Sequence, residues 1–466
     1  MYEEVPFRNQ ATISTRWIIT EKLNDGKKNV KARLVARGFE ENTDSLQKDS
    51  PTCCRESLRL VLMTASTMKW LIHSIDISAA FLQGNSLERE LYLKPPADVC
   101  SKDVVWRLKR CIYGLNDAPR SWYNRVREVM IKLGAIVSSF DNALFIWRDT
   151  SGRLIGVLAS HVDDFVFAGT EWFHTHVIAK LMETFKVSKA SNGSFKYLGI
   201  TVKQIDDVVQ IDQDLYVPSI SCVNFEKSSS DCYLSPDEKS DLKRLSGQMN
   251  WVTSQTRPDM SFETCVMSNV GKQANKKILH DANKAVKKLQ SDKVQLNFPC
   301  LGNPGRLKVV VYSDATYGSL ADGSSQGAYL VFIQGENGKV APISWQSKKL
   351  NRVTKSPLAS ETLALCDGAD AAYLVASQLT ELFGLLKMPE ICCYVDNVSL
   401  KETLNTSTIV SDKRLRVDIA RLREMVHREE IRVCWIEGKS QIADALTKRG
   451  SSNEKLMQVL KSGTLP

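Results

Sequence analysis

The sequence predicts an α+β protein that contains more than one domain. At 466 residues the chain is longer than an ordinary single domain. Short apolar runs that end in a carboxylate recur along it, and they indicate strands that present acids. Tracts with helical spacing lie between these runs, such as the one containing Leu242, Leu245, Met249 and Val252.

Composition sets broad limits on the class of protein. Hydrophobic residues make up 43% of the chain and charged residues 25%, which is typical of globular proteins with sizeable cores. The net charge of +9 is compatible with a polyanionic partner but does not require one. The chain shows neither a secretory leader nor a long apolar segment, so we expect an intracellular protein without a membrane partner. The twelve cysteines lack CxxC spacing, which favours reduced core thiols over disulfides or zinc.

Two stretches present carboxylates at the ends of apolar runs. Residues 154–169, LIGVLASHVDDFVFAG, predict a strand, a tight turn and a second strand around Asp163 and Asp164. Side-chain alternation would send these acids to opposite faces unless the turn twists them. Neighbouring anions call for a cation, although a solvated Asp-rich hairpin tip explains this stretch equally well. Residues 70–84, WLIHSIDISAAFLQG, predict another strand that ends in an acid, Asp76.

These motifs resemble the Pol protein of copia-type (Pseudoviridae) LTR retrotransposons, in its reverse transcriptase plus ribonuclease H portion. The resemblance rests here on DISAAFL, which begins at Asp76, and on HVDD, which ends at Asp164. It implies a right-hand polymerase whose catalytic, metal-binding residues are Asp76, Asp163 and Asp164. Two Mg²⁺ ions, or Mn²⁺ as a substitute, would be held there for phosphoryl transfer.

Residues 15–40 read as two strands joined by a turn at Asn24, Asp25 and Gly26. In the family this is the fingers hairpin, so the resemblance implies that Lys31 and Arg33 approach the phosphates of the nucleotide. A solvated basic strand face is an equally good explanation for either residue.

The nucleotide-binding set also includes Phe81 and Gly114. The family places a ring at the position of Phe81, beneath the nucleotide sugar, where it would exclude a ribose 2′-hydroxyl; the alternative is an ordinary core phenylalanine. Gly114 lies in residues 104–123, a segment rich in arginine and aromatics that suits contact with a nucleic-acid backbone. The family usually has Lys and Gln where this chain has Asn116 and Asp117, so we expect weaker template contact.

The next region predicts a thumb or connection. Residues 195–202, FKYLGITV, resemble the primer-gripping turn of the family, with Gly199 at the bend. Residues 236–255 predict a helix, and the TRPD run at 256–259 predicts the start of another. The lysine-rich residues 272–293 either grip duplex phosphates or form a solvated helix face.

Strand-presented acids recur after the GNPG run at residues 302–305, the clearest linker signal in the chain. Any single Asp after a strand is most often a turn or cap residue. The four in this order nevertheless resemble ribonuclease H of the same family, and they would be its catalytic and metal-binding residues. They are Asp314 in YSDA, Glu361 in ASET, Asp396 in VDN and Asp444 in ADALTK.

Two further departures from the family involve histidine. His161 replaces the usual Tyr or Phe before Val-Asp-Asp, and it could become charged near neutral pH. The family histidine between the third and fourth ribonuclease H acids has no counterpart in KRLRVDIARLRE at residues 413–424. His427 lies nearby but stands elsewhere in the pattern.

The resemblance yields a full set of expectations. The fold class is an α+β polymerase right hand (fingers, palm, thumb) followed by an α/β ribonuclease H-like domain with a mixed sheet. The predicted domains are fingers and palm at 1–223, a helical thumb or connection at 224–305, ribonuclease H at 306–450 and a tail at 451–466.

Function would be RNA- and DNA-directed DNA synthesis with cleavage of RNA in hybrids. The expected partners are RNA and DNA template-primers, RNA–DNA hybrids and dNTPs, while the oligomeric state is left open. The resemblance also implies a location in a cytoplasmic virus-like particle with nuclear entry as a further step, and it leaves open whether the chain is processed from a larger polyprotein or is a truncated or adopted copy. The alternative is a retrotransposon-derived or host-adopted protein that binds nucleic acid without catalysis.

Overall fold

A computed structural model describes residues 1–24, 27–42, 44, 46–99, 103–225, 232–269, 274–407 and 409–465. Asp25 and Gly26 of the predicted fingers turn and Lys272 of the predicted basic helix lie outside these residues. The chain forms two compact units. The first contains Met1–Cys54, His73–Ser151 and Ile155–Ser191, and the second contains Arg55–Ile72, Gly152–Leu154 and Asn192–Pro466.

The strands follow the apolar runs of the sequence. In chain order they are β1 (Tyr2–Pro6), β2 (Thr12–Asn24), β3 (Lys27–Ala36), β4 (His73–Ile77), β5 (Tyr92–Lys94), β6 (Val104–Leu108), β7 (Ile136–Val137), β8 (Leu144–Arg148), β9 (Leu154–His161), β10 (Asp164–Gly169), β11 (Val187–Asn192), β12 (Ser194–Tyr197), β13 (Ile200–Ile205), β14 (Val208–Asp212), β15 (Leu296–Phe298), β16 (Lys308–Thr316), β17 (Gln326–Gln334), β18 (Val340–Lys349), β19 (Ile391–Val395) and β20 (Arg432–Trp435).

The helices are of very different lengths. They are α1 (Arg55–Thr67), α2 (Ala118–Lys132), α3 (Glu171–Phe173), α4 (Ala179–Thr184), α5 (Pro236–Gln255), α6 (Ser261–Ser268), α7 (Lys276–Ser291), α8 (Pro357–Phe383), α9 (Val398–Asn405), α10 (Lys413–His427) and α11 (Glu454–Ser462). Short 3₁₀ turns include Ala80–Gln83, Pro258–Met260 and Ile442–Leu446, and a π-helical turn spans His174–Ile178. Within the described residues, no helix is long and apolar enough to cross a membrane.

The first unit contains two sheets. One has the strand order β1-β6-β5-β2-β3 and includes the predicted β2–β3 hairpin. The other, which we call the palm sheet, has the order β11-β4-β10-β9-β8-β7. Its core is rich in aromatic side chains, and Phe173 packs between the cross-strand pair Gly156 and Gly169. A Cβ atom on either glycine would lie 2.3 Å from the Phe173 ring, so only glycine fits there.

The second unit contains a four-stranded sheet, β12-β13-β14-β15, and a five-stranded mixed sheet, β18-β17-β16-β19-β20. In the mixed sheet β16 pairs with β17 antiparallel and with β19 parallel. Helices α5 and α7 bury their apolar faces in one cluster, in keeping with the helical spacing of the sequence. The Ser235 hydroxyl caps α5 in a capping box with Glu238.

Helix α1 belongs to the second unit although it lies early in the chain. Its Arg59 is 3% exposed and donates hydrogen bonds to the carbonyls of Ile343 (2.7 Å) and Ser254 (2.6 Å). The guanidinium also lies 3.7 Å from the centroid of the Trp345 ring, a cation–π distance. Arg59 therefore ties α1 to both β18 and the end of α5.

The compact units do not follow the predicted divisions at residues 223 and 305. The predicted linker at residues 302–305 follows a packed segment, because Leu301 is buried and its N–H donates to the Thr67 hydroxyl at 3.4 Å. The Asn337 amide also donates to the Cys300 carbonyl at 2.9 Å. The predicted domain boundaries stay a prediction, while contacts place both sides of the linker in the same unit.

A histidine pair lies in the palm sheet region. The His73 ring on β4 stacks on Phe167 at 5.5 Å and meets the His174 ring at 4.4 Å between centroids. Burial, together with the charge that His174 would carry, lowers the pKa of His73 from 6.5 to about 4. The folded chain therefore keeps His73 neutral over a pH range in which the unfolded chain binds a proton.

We expect the stability of the first unit to fall as the pH drops from about 6.5 towards about 4, since only the unfolded state gains the proton. The variant His73→Phe keeps a ring but cannot titrate, so its melting temperature should fall less over this range. We expect a difference of about 2–4 °C, the shift caused by about 1 kcal/mol in a unit of this size, because the half-buried ring keeps part of its hydration. The control is His176→Gln, at an exposed position in the same unit. Equal pH slopes for wild type and His73→Phe would contradict the assignment.

Candidate active sites

The first site is built on the tight turn between β9 and β10. Val162 in this turn has a φ of 57°, a strained value for a β-branched residue. The turn is held from two sides. The indole N–H of Trp122 donates to the Val162 carbonyl at 2.6 Å, and the Ile77 N–H donates to the Asp163 carbonyl at 2.8 Å. These bonds hold the adjacent acids in place.

Three of the predicted acids meet at this turn. Asp164 on β10 is the direct cross-strand partner of Asp76 on β4, and Asp163 precedes it in the turn. Strand alternation alone would place Asp163 and Asp164 on opposite faces of the sheet. The turn instead keeps them close enough for the charges of Asp163 and Asp76 both to act on Asp164. The hydroxyl of Ser188 on β11 donates to Oδ1 of Asp76 at 2.5 Å. Sequence reasoning did not find Ser188.

The electrostatics of this site favour a cation. Burial, together with the neighbouring charges of Asp163 and Asp76, raises the pKa of Asp164 to about 6. Burial also raises the pKa of Asp163, and Asp76 adds to that shift. In the described part of the chain, no lysine or arginine forms an ion pair with any of these three carboxylates. A divalent cation would relieve their repulsion.

The predicted nucleotide-binding residues lie beside the acids. The charge of Lys31 on β3 partly offsets the rise in the pKa of Asp163. The charge of Arg33, two residues further along the strand, partly offsets the rise in the pKa of Tyr113. Phe81 is half-buried and meets the Tyr113 ring edge-on at 5.2 Å. Burial and the charge of Asp163 raise the pKa of Tyr113. Tyr113 is a second residue that sequence reasoning missed.

Gly114 has a backbone role in this structure, and its predicted nucleotide contact stays a prediction. It has a φ of 92°, and a Cβ atom there would lie 2.1 Å from the Ala36 carbonyl oxygen. The Ala36 N–H donates to the Tyr113 carbonyl at 2.8 Å, so the two backbones run in close contact. The geometry therefore explains the glycine by backbone packing that places Tyr113.

Asn116 and Asp117, which depart from the family motif, both form hydrogen bonds in this structure. Asn116 donates through its amide to the Gly38 carbonyl at 2.7 Å. Asp117 accepts two hydrogen bonds from the Arg89 guanidinium, at 2.6 and 3.1 Å, and Glu41 accepts a third at 2.8 Å. Arg89 thus pairs with the added anion, while the expectation of weaker template contact stays a prediction. Burial lowers the pKa of His161, so this ring is neutral near pH 7, contrary to the expected charging.

The second site lies at the mixed sheet of the second unit. Oxygen atoms of Asp314, Glu361 and Asp396 all lie within 4.8 Å of one another, the closest such group among the described residues. Asp314 is on β16, Glu361 is in the first turns of α8, and Asp396 follows β19 directly. The Ser356 hydroxyl caps α8, so Glu361 lies within the helix.

This cluster has the chemistry of a metal site. Burial raises the pKa of both Asp314 and Glu361, and burial also raises that of Asp396. The Oε2 atom of Glu361 is buried and, among the described residues, has no hydrogen-bond partner. A buried carboxylate oxygen without a donor, facing two further acids, fits a hard divalent cation.

Asp444 joins this cluster through a lysine. It lies in the 3₁₀ turn Ile442–Leu446. The Lys448 ammonium lies 2.6 Å from Oδ1 of Asp444 and 3.7 Å from Oδ1 of Asp314. The Thr447 hydroxyl donates to the other oxygen of Asp314. Thr447 and Lys448 both lie in the ADALTK motif, but the sequence predicted no role for either of them.

The predicted basic helix corresponds to α7. Lys277, Lys284 and Lys287 are exposed along it. Lys276 and Lys288 instead pair with Glu238 and Glu263, at 3.5 and 3.8 Å. Part of the lysine-rich tract therefore stabilises the helix packing, and part is free to meet solvent or a polyanion.

Comparison with known protein families gives a match over the first half of the chain. The profile described as "Reverse transcriptase (RNA-dependent DNA polymerase)" matches residues 4–235. This stretch contains Asp76, Asp163 and Asp164 together with all four predicted nucleotide-binding residues.

Curated relatives match nearly the whole chain. The retrovirus-related Pol polyprotein from transposon RE2 of Arabidopsis thaliana is 28% identical, over 94% of this chain and 31% of the polyprotein. The Pol polyprotein from transposon TNT 1-94 of Nicotiana tabacum is 25% identical, over 96% of this chain and 35% of that protein. The chain thus spans about a third of the length of these relatives.

Solved structures share the fold. A foamy viral protease-reverse transcriptase in complex with double-stranded DNA superposes with a TM-score of 0.59 at 13% identity, covering 93% of this chain and 66% of that one. The foamy viral enzyme in complex with an RNA/DNA hybrid superposes with a TM-score of 0.53 at 11% identity, covering 93% and 51%. The predicted fold class, an α+β polymerase followed by a ribonuclease H-like domain with a mixed sheet, is confirmed.

The hydrogen bond from the Trp122 indole to the Val162 carbonyl can be tested by substitution. The variant Trp122→Phe keeps an aromatic ring in the core but loses the donor, so the strained turn is held on one side only. We expect kcat/KM for primer extension to fall by about five- to tenfold, the worth of one buried hydrogen bond.

The matched control is Trp147→Phe. Trp147 is buried in the same core, and its indole donates to the Leu133 carbonyl at 2.9 Å rather than to the turn. Both variants should lose similar thermal stability, but Trp147→Phe should retain primer extension. Equal activity losses in the two would show that the Trp122 bond acts only through stability.

Proposed function

Because the chain belongs to the copia-type reverse transcriptase family, we propose that it synthesises DNA on RNA and DNA templates and cleaves the RNA strand of RNA–DNA hybrids. The pairing of Asp76 with Asp164 at the locked turn supports the polymerase activity. The ribonuclease H activity is supported by the cluster of Asp314, Glu361 and Asp396 within 4.8 Å.

In the polymerase site, Asp76, Asp163 and Asp164 would hold two Mg²⁺ ions, for which Mn²⁺ can substitute. When bound, such an ion pair activates the attacking oxygen and stabilises the leaving oxygen of an in-line displacement. Lys31 and Arg33 are placed to balance the negative charge of the triphosphate of a bound dNTP. Phe81 and Tyr113 form an aromatic wall beside the acids, suited to closing the sugar side of the nucleotide.

In the ribonuclease H site, Asp314, Glu361, Asp396 and Asp444 would provide the carboxylates for a second pair of ions. Asp314 is 1% exposed and Glu361 7%, so both are held with little freedom to adjust. The raised pKa values of these acids mean that they bind protons readily when no divalent cation is present. Cation binding and proton release at this site are therefore linked.

We propose nucleic acids as the partners of this chain, because the solved structures that share its fold are complexes with nucleic acids. Those structures are complexes with double-stranded DNA and with an RNA/DNA hybrid, and we propose the same classes of partner here. Exposed Lys277, Lys284 and Lys287 on α7 suit contact with backbone phosphates, which is independent of sequence. Binding through these lysines should weaken steeply as salt rises.

The alternative is a remnant that binds nucleic acid without catalysis. All seven acids are present, and in each set they lie near one another in the fold. The Asn116-Asp117 departure keeps this alternative open, although Arg89 pairs with Asp117. An activity assay separates the two functions directly.

The first test of the proposed function uses one acid from each set. Asp163→Asn should reduce primer extension by at least about 100-fold, since an amide cannot replace the charge that holds the cations. It should leave cleavage of RNA in a hybrid near the wild-type rate. Asp396→Asn should have the reverse effect, and Asp76→Asn should behave like Asp163→Asn.

Circular dichroism would verify that each variant is folded. Undiminished primer extension by folded Asp163→Asn would remove the polymerase assignment, and undiminished RNA cleavage by folded Asp396→Asn would remove the ribonuclease H assignment. Loss of both activities in both variants would mean a single coupled site.

A second test concerns sugar selection. If Phe81 closes the sugar side of the nucleotide, Phe81→Ala makes room for a 2′-hydroxyl and should raise ribonucleotide incorporation relative to deoxyribonucleotide. The measurement is the ratio of kcat/KM for a matched rNTP and dNTP. Because Phe81 also packs against the core, Leu82→Ala is a useful control for lost packing. A ratio that stays flat in Phe81→Ala while extension persists would identify Phe81 as a core residue.

A further inference from the structure

Among the described residues, the proposed ribonuclease H acids are in contact with a lysine, and the proposed polymerase acids are not. Lys448 lies one helical turn after Asp444, and its ammonium contacts Oδ1 of Asp444 at 2.6 Å and approaches Oδ1 of Asp314 at 3.7 Å. The Lys448 side chain is 39% exposed, whereas Asp314 is 1% exposed. The lysine therefore reaches from the rim of the site to a buried acid.

This position conflicts with a divalent cation. An ion held jointly by Asp314 and Asp444 would use the same carboxylate oxygens that Lys448 contacts. Two cations cannot share these oxygens without strong repulsion at such short range. The Asp314, Glu361 and Asp396 oxygens, which lie within 4.8 Å of one another, still offer a face for another ion.

We infer that Lys448 is a competing counter-ion that weakens binding of one of the two divalent cations, the one held by Asp314 and Asp444, and stabilises the acids when that cation is absent. This inference rests on the proposed ribonuclease H function. It implies that RNA cleavage requires a higher Mg²⁺ concentration than DNA synthesis by the same chain. Among the described residues, the polymerase acids have no such lysine.

The direct test measures cation binding rather than activity. Mn²⁺ is titrated into the full chain and free Mn²⁺ is followed by electron paramagnetic resonance, with Asp163→Asn as the common background to reduce binding at the polymerase site. Lys448→Met removes the charge but keeps the length of the side chain. We expect it to bind one Mn²⁺ about tenfold more tightly than the background protein, a change of about 1.4 kcal/mol.

Two control variants define the role of the charge. Lys448→Arg keeps the cation and should keep the background affinity. Lys461→Met makes the same substitution at an exposed position on α11, and it should also leave the affinity unchanged. Tighter binding by Lys448→Arg, or unchanged or weaker binding by Lys448→Met, would overturn the inference.

Stability supplies a second readout. In EDTA, Lys448→Met should melt at a lower temperature than the background protein, because Asp314 and Asp444 lose their counter-ion. Saturating Mg²⁺ should close this gap. A gap that persists at saturating Mg²⁺ would show that Lys448 is only a structural ion pair, which would overturn the inference.

If Lys448→Met does not fold, the unmodified chain still decides the question. The Mg²⁺ concentration for half-maximal RNA cleavage should exceed that for half-maximal primer extension, and the reverse order would overturn the inference. A separate measurement shows whether the proposed ribonuclease H function itself is wrong. If Asp396→Asn binds Mn²⁺ as the background protein does, no cation binds at this cluster and the ribonuclease H proposal falls with the inference.

Discussion

Mutual repulsion among partly or fully buried carboxylates is the constraint that the rest of this structure must satisfy. Asp164 faces Asp76 across two paired strands, and Asp314 lies with Glu361 and Asp396 inside a second cluster. Acids free to move would separate, so each group depends on a rigid support. In the palm sheet, hydrogen bonds from Trp122 and Ile77 hold the strained turn at Val162. In the second unit, Asp314 extends from β16, which has strand partners on both sides.

The two sites meet this constraint in different ways. The polymerase acids lie beneath Lys31 and Arg33, whose charges act on Asp163 and Tyr113 without an ion pair to the acids in the described part of the chain. These cations remain available to an incoming triphosphate. The ribonuclease H acids are contacted by Lys448 itself. The two groups of acids therefore differ in how their charge is balanced within the described part of the chain.

At positions where the chain departs from the family pattern, neighbouring residues interact with the substituted side chain. Asp117 adds an anion beside a proposed nucleic-acid surface, but Arg89 binds it through two hydrogen bonds and joins it to Glu41. His161 is kept neutral by burial. Gly114 shows the opposite case, since its place in the motif suggested nucleotide contact and its geometry shows close backbone packing against Ala36.

The sequence by itself determined several strands and helices and the order of the seven acids, because apolar periodicity and turn residues act over short stretches of chain. It predicted the β9–β10 hairpin and helix α5 closely, and its motifs identified the acids that the fold brings together. Only the tertiary structure decided which distant side chains support those acids. Trp122, Ser188 and Tyr113 reach the first site from other elements, and α1 joins the second unit through Arg59. Such contacts depend on the packing of segments far apart in the chain, which no local pattern of residues encodes.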